Sequence, residues 1–238
     1  ASLAVLPLMR APRRASRGAL EQSLGEALIR AFRDPSFTLI FLGFFSCGYQ
    51  LAFITAHFPA LLTEMCGTPD PTGPLAAIGI TTTSALGALA IAVIGLANVA
   101  GTLAAGWFGK YYSRKYVLAW IYTGRTIAAD AFMSLPITPA SVVIFSAVMG
   151  ALWLATVPLT SGLVAHIWGI RYMGTLYGIV FLSHQIGGFL GVWLGGRLYD
   201  ATGDYMLVWW IGVGVGAFSA LVHLPIRERR DTPLPAAA

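Results

Sequence analysis

Few side chains in this sequence could do chemistry, and most of them interrupt stretches otherwise free of charge. His184 and Gln185 stand side by side in one such stretch; an imidazole can donate to a carboxylate or carry a proton near neutral pH. Arg125 and Asp130 share another. Five helical residues separate two side chains by about 140°, so these two do not make the pair that an i,i+4 spacing would give. Arg125 could hold a carboxylate through its guanidinium fork or bond structurally to carbonyls of a neighbouring helix. Asp130 is either a proton-coupling group or a residue near the outer face. Gln50, Asn98, Tyr49 and Tyr177 complete the polar candidates, as cavity walls or as hydrogen bonds that hold helices together. His57, His166 and His223 fall near the ends of their stretches and read as interfacial. No set of His, Cys and carboxylates has metal-ligand spacing, so neither a metal nor a cofactor is expected. The loops are too short and too poor in acids and bases to build an enzyme's active site.

The elements that carry these residues are apolar segments long enough to cross a bilayer, about 20 residues each. They run from about Phe37 to Met65, Thr81 to Trp107, Tyr116 to Leu135, Ala140 to Trp168, Tyr172 to Leu198 and Tyr205 to Ile226. Pro158 lies inside the fourth and should kink it, because it lacks a backbone donor. Gly67 to Pro74 is turn-rich, Lys110 to Lys115 is a tight basic loop, and Tyr199 to Asp204 turns the chain back. Ahead of the first span, Leu24, Ala27, Leu28 and Phe32 recur at helical spacing in a basic stretch. Ser23 to Arg33 therefore reads as an amphipathic helix at the membrane surface. At 1.5 Å per residue, His184 and Gln185 lie roughly 18 Å into the fifth span, near the midplane. Gly174, Gly178, Gly187, Gly191 and Gly195 repeat along the same span, and Gly212, Gly214 and Gly216 crowd the sixth. Such repeats let backbones approach closely, for static packing or for gating.

Composition fits the same class. Of 238 residues, 57% are hydrophobic and 11% charged, against roughly 25% charged in an ordinary soluble domain. If all six segments cross, thirteen of the fifteen Lys and Arg residues fall on one side. Arg125 lies inside a span and Arg197 at the other face. The positive-inside rule then places both ends in the cytoplasm. The net charge of +5 suits anionic lipid heads and gives no reason to expect nucleic acid. Cys47 and Cys66 do not by themselves imply a disulfide.

Six spans, a basic amphipathic linker and the loop Gly106-Trp-Phe-Gly-Lys-Tyr-Tyr-Ser-Arg-Lys115 resemble the carboxy-terminal half of a major facilitator superfamily transporter. In that resemblance Gly106 matches the opening glycine of the family's loop signature, Lys110 its first basic position, and Arg114 and Lys115 its closing pair. Gly109 stands where the family favours Asp, and Ser113 replaces the second Gly. The first span, Gly43-Phe-Phe-Ser-Cys-Gly-Tyr-Gln-Leu-Ala-Phe-Ile-Thr-Ala-His-Phe-Pro59, is similar to the seventh helix of bacterial members related to monocarboxylate and oxalate carriers. Tyr122 with Arg125, and Gly195-Gly-Arg-Leu-Tyr-Asp-Ala-Thr-Gly203, point the same way.

The resemblance implies an all-α membrane protein whose six transmembrane helices form one bundle, half of the major facilitator fold. Residues 1–9 would be the tail of a preceding transmembrane helix, 10–36 a cytoplasmic basic linker with its amphipathic helix, 37–226 the bundle and 227–238 a cytoplasmic tail. The implied activity is secondary active transport of a small solute, by alternating access against an amino-terminal six-helix bundle or a second copy of the chain. The cargo would be an organic anion such as a monocarboxylate, with a proton as coupling ion in symport, across a bacterial inner membrane. Lys110, Arg114 and Lys115, with Gly106, would form a gating loop. The alternative is a non-transporting structural or regulatory half-transporter remnant.

Overall fold

The computed structural model describes residues 23–229; the expected tail at 1–9, most of the basic linker and residues 230–238 lie outside them. Among the described residues the secondary structure is entirely helical. The first element, α1, is Leu24–Arg33, the amphipathic helix expected there. Ser23 caps it in a reciprocal capping box with Glu26. The Ser23 backbone N–H and hydroxyl hold the Glu26 carboxyl below the usual carboxylate range.

The long helices follow: α2 Pro35–Met65, the short α3 Pro74–Ala77, α4 Thr83–Tyr111, α5 Arg114–Ser134, α6 Pro139–Leu152, α7 Thr156–Trp168, α8 Met173–Thr202 and α9 Met206–His223. Five segments are long and apolar enough to cross a membrane: α2, α4, the α6–α7 pair taken together, α8 and α9. The third expected span, α5, is not among them by composition, because its 21 residues include Arg114, Lys115, Arg125 and Asp130. Its ends nevertheless reach as far as its neighbours'. Arg114 meets Glu228 beyond the end of α9, and the indole of Trp209, near the start of α9, donates to the Ala129 carbonyl.

Pro158 has the effect expected of it, one turn earlier in the chain. Helical structure stops at Leu152 and resumes at Thr156, so the fourth segment is two helices rather than one bent one. Proline has no N–H for the carbonyl four residues back, and its ring crowds that carbonyl. Here that residue is Leu154, inside the break. Its carbonyl accepts instead from the Val157 N–H at 3.0 Å.

Packing rests on backbone-close pairs. A Cβ on Gly48 of α2 would strike the His184 carbonyl of α8, and Cβ atoms on Gly187 and Gly191 would strike the carbonyls of Phe45 and Tyr49. Gly101 of α4 and Gly150 of α6 abut Ala151 and Ile94 in the same way. By contrast Gly174, Gly178 and Gly214 face open space, so the glycine repeat divides into packing and non-packing members. Two apolar clusters fill the interior. One lies around Phe58, Phe132, Phe145 and Trp209, and the other around Phe37, Phe44, Leu118, Tyr122 and Leu159.

The start of α2 meets the ends of α7 and α9. Arg227 N–H donates to Ser36 at the start of α2, and Trp168 at the end of α7 packs edge-on against Phe37, with ring centroids 5.3 Å apart. Overpacking of this kind typically costs 1–3 kcal/mol. Gly191→Val should therefore lower the melting temperature of the purified chain in detergent by an amount equivalent to about 1–3 kcal/mol. Gly178→Ala should stay within about 0.5 kcal/mol of the parent. Equal melting temperatures for the two variants would contradict the α2–α8 contact.

Candidate functional site

Arg125 sits on α5 between Tyr122, which belongs to one apolar cluster, and Ala129, which belongs to the other. It is 0% exposed. Its Nη1 donates to Cys47 Sγ of α2 at 3.5 Å, while Nε and Nη2 have no partner. A buried guanidinium without a carboxylate is unusual, because an unpaired charge costs several kcal/mol. Asp130, the nearest acid in sequence, is exposed and makes no hydrogen bond or ion pair with the described residues.

Around Arg125 the helices bring together residues distant in sequence. Cys47 Sγ lies 3.2 Å from Thr156 Oγ1, in the first turn of α7. His184 of α8 borders Cys47; its ring stacks on Phe181 at 5.0 Å and tilts against Phe44 at 5.1 Å. Tyr122 carries the guanidinium carbon 5.7 Å from its ring centroid. The His223 ring also stacks on Tyr122, with ring centroids 5.0 Å apart. His184 Nε2, His223 Nε2 and the hydroxyls of Tyr122 and Tyr177 are all buried without a hydrogen-bond partner. His223 is the last residue of α9, near the helix end as expected, but it is turned into the bundle: it is 0% exposed, packed against Gly43, with Nδ1 2.7 Å from the Ser219 carbonyl. Its position at the end of α9 was legible, but the glycine that makes room for its ring is on another helix.

The remaining candidates separate by partner. Gln185 is exposed on the open side of α8, with its Oε1 3.2 Å from Nδ1 of the half-buried His184, whose Nε2 is buried. Tyr177, half-buried about two turns earlier on α8, tilts against Phe44. Gln50 points inward: Nε2 donates to the Gly212 carbonyl at 2.9 Å and Oε1 is unpaired, beside a void of about 20 Å³. Tyr49 is buried, its hydroxyl donating to the Val208 carbonyl at 3.3 Å. Asn98 of α4 accepts the Leu154 N–H at 2.9 Å and thereby supplies a partner to the backbone that the α6–α7 break exposes. His57 bridges α2 to α8, with Nε2 3.0 Å from the Val192 carbonyl. Cys47 and Cys66 are free thiols.

The basic loop has a partner that the sequence did not announce. The Glu228 carboxylate accepts from the backbone N–H groups of Arg114 and Lys115, at 3.1 and 3.4 Å, and from the Ser113 hydroxyl. Arg114 adds an ion pair at 3.4 Å, and Lys115 Nζ donates to the Leu224 carbonyl at 3.0 Å. A carboxylate at a helix N-terminus meets both unpaired N–H groups and the positive end of the dipole. Lys110 and Gly106 stay exposed. No group of three or more His, Cys, Asp and Glu that could hold a metal occurs among the described residues.

With this geometry in view, sequence comparison becomes informative. The chain is similar to a transporter. It is 26% identical over 191 residues to the protein described as uncharacterized MFS-type transporter YcxA of Bacillus subtilis (strain 168). The match covers 78% of this chain and 43% of that protein, so the chain spans less than half the length of this curated relative. No family model matches the sequence. The long apolar helices among the described residues support an integral membrane protein.

Two variants test the contacts. Asn98→Leu strands the Leu154 N–H inside the bundle and should cost about 1–3 kcal/mol, measured by thermal unfolding. Glu228→Ala should cost about 1–2 kcal/mol and speed tryptic cleavage after Arg114 and Lys115; unchanged cleavage would show that the loop is held by something other than Glu228.

Proposed function

We propose that this chain is one six-helix bundle of a major facilitator superfamily transporter and that it moves a small organic anion, such as a monocarboxylate, by alternating access. In this reading α5 is the sixth span, the basic end faces the cytoplasm of a bacterial cell, and the membrane is the inner one. A second bundle, from an amino-terminal half or from another copy of the chain, closes the pathway. The observation that carries the reading is the open face of α8. Gln185 is exposed there, bonded to His184, near the middle of a 30-residue span. An amide facing hydrocarbon at that depth is costly, so such groups face a water-filled path or a partner. Secondary transporters place their substrate sites at the same depth, between two bundles.

The charge balance favours an anion. The polar groups of the interior are Arg125, imidazoles and hydroxyls, and no carboxylate is packed beside Arg125 among the described residues. His184 and Gln185 would contact the solute, with Tyr177 in the wall and the α4–α5 junction as the cytoplasmic latch, formed by Gly106 and Lys110 in the last turns of α4 and Arg114 and Lys115 at the start of α5. Gln50, Tyr49 and Asn98 would support the helices behind that wall.

Uptake of labelled small carboxylates into proteoliposomes holding the purified chain tests this, with and without an inward proton gradient. Saturable uptake that falls about tenfold in His184→Ala, equivalent to about 1.4 kcal/mol, is expected. Folded chain that shows no uptake, alone or co-reconstituted with an amino-terminal bundle, would favour the alternative of a half-bundle that does not transport.

A further inference from the structure

Arg125 needs a compensating negative charge, and the groups around it can be enumerated helix by helix. On α2 it touches Cys47. On its own helix it lies against Tyr122. On α7 the nearby polar group is Thr156, which is uncharged and bonded to Cys47. On α8 the group is His184, which borders Cys47 and Arg125. On α9 it is His223, stacked on Tyr122. Asp130 does not face the cluster. Two ionisable groups touch the guanidinium, the Tyr122 ring and the Cys47 thiol; the thiol is intrinsically the more acidic, and a thiolate is stabilised beside Arg or imidazolium.

The geometry points to Cys47 as the counter-ion of Arg125 and, with His184, as the site where the coupling proton is held. The proposal rests on the transport reading above and deepens it. The unpaired His184 Nε2 is the acceptor. The Cys47 S–H bond breaks, its electron pair stays on sulfur, and an N–H bond forms at His184 Nε2. This transfer leaves the cluster at a net charge of +1: guanidinium, thiolate and imidazolium. Loss of the imidazolium proton to water on the open face of α8 leaves guanidinium and thiolate, net zero. The proton-loaded cluster attracts a monoanion and the unloaded cluster does not, so one proton travels with one anionic charge. A neutral Cys47 with a permanently unpaired Arg125 would instead attract anions equally in both states, and no coupling would result.

Infrared spectroscopy of the S–H stretch decides this without any transport. In Cys66→Ser, Cys47 is the remaining thiol. The expected S–H band is absent at mildly alkaline pH, returns on acidification, and is present at both in Arg125→Gln with His184→Gln. Should that double variant fail to fold, His184→Gln alone serves: the band should then persist to higher pH than in the parent. A full band from Cys47 at mildly alkaline pH in Cys66→Ser would overturn the proposal. In proteoliposomes, Cys47→Ser should lose the stimulation of uptake by an inward proton gradient, while Cys66→Ser keeps it; retained stimulation in Cys47→Ser also overturns it. If the parent chain moves no anion, the transport reading fails by itself, and the infrared band still decides whether Cys47 carries the charge.

Discussion

The approach of α2 to α8 fixes most of what the bundle can do. Where Gly48 meets the His184 carbonyl, and Gly187 and Gly191 meet α2, two backbones come closer than side chains would allow. Helices in a membrane gain little from burying apolar groups against each other, since lipid is as apolar as leucine, so close packing supplies much of their association. The same contact sets the register of α8. It carries His184 to Cys47 and leaves Gln185 on the outside, so a packing constraint determines which polar group is internal and which is open.

A second constraint is that backbone groups in an apolar surround need partners. The α6–α7 break leaves polar atoms of Leu154 without helical bonds, and Asn98 on α4 supplies one partner. Its side chain is thus committed to the backbone. Gln50 and Tyr49 are similarly engaged with carbonyls of α9. The polar groups that remain unpaired are concentrated around Arg125 and along the inner edge of α8, which is why the functional argument settles there.

Much of the architecture was legible because it is local. The Ser23 cap, the length of the apolar stretches, the break near Pro158 and the turn-rich loops each follow from residues within a few positions of one another. The standing of α5 was harder: its charged residues depress its hydropathy although its length and packing match its neighbours'. The partners of polar residues were hidden for another reason. Asn98 finds its partner 56 residues away, Cys47 finds Arg125 at 78, and Glu228 finds Arg114 at 114. No periodicity in a single chain encodes such pairings. Cys47 was accordingly read only for its capacity to form a disulfide, and His223 only for its place near a helix end.

The contacts of the last described residues bear on how the protein is made. Glu228 closes the start of α5, and the Arg227 N–H reaches Ser36, 191 residues earlier. During synthesis α5 is made before the carboxylate that pairs its first N–H groups, and α2 waits for a partner on a segment not yet translated. The bundle is fastened only when the ribosome has passed α9. Until then its basic end is open, and the order of translation itself makes that end the last part of the protein to acquire its final structure.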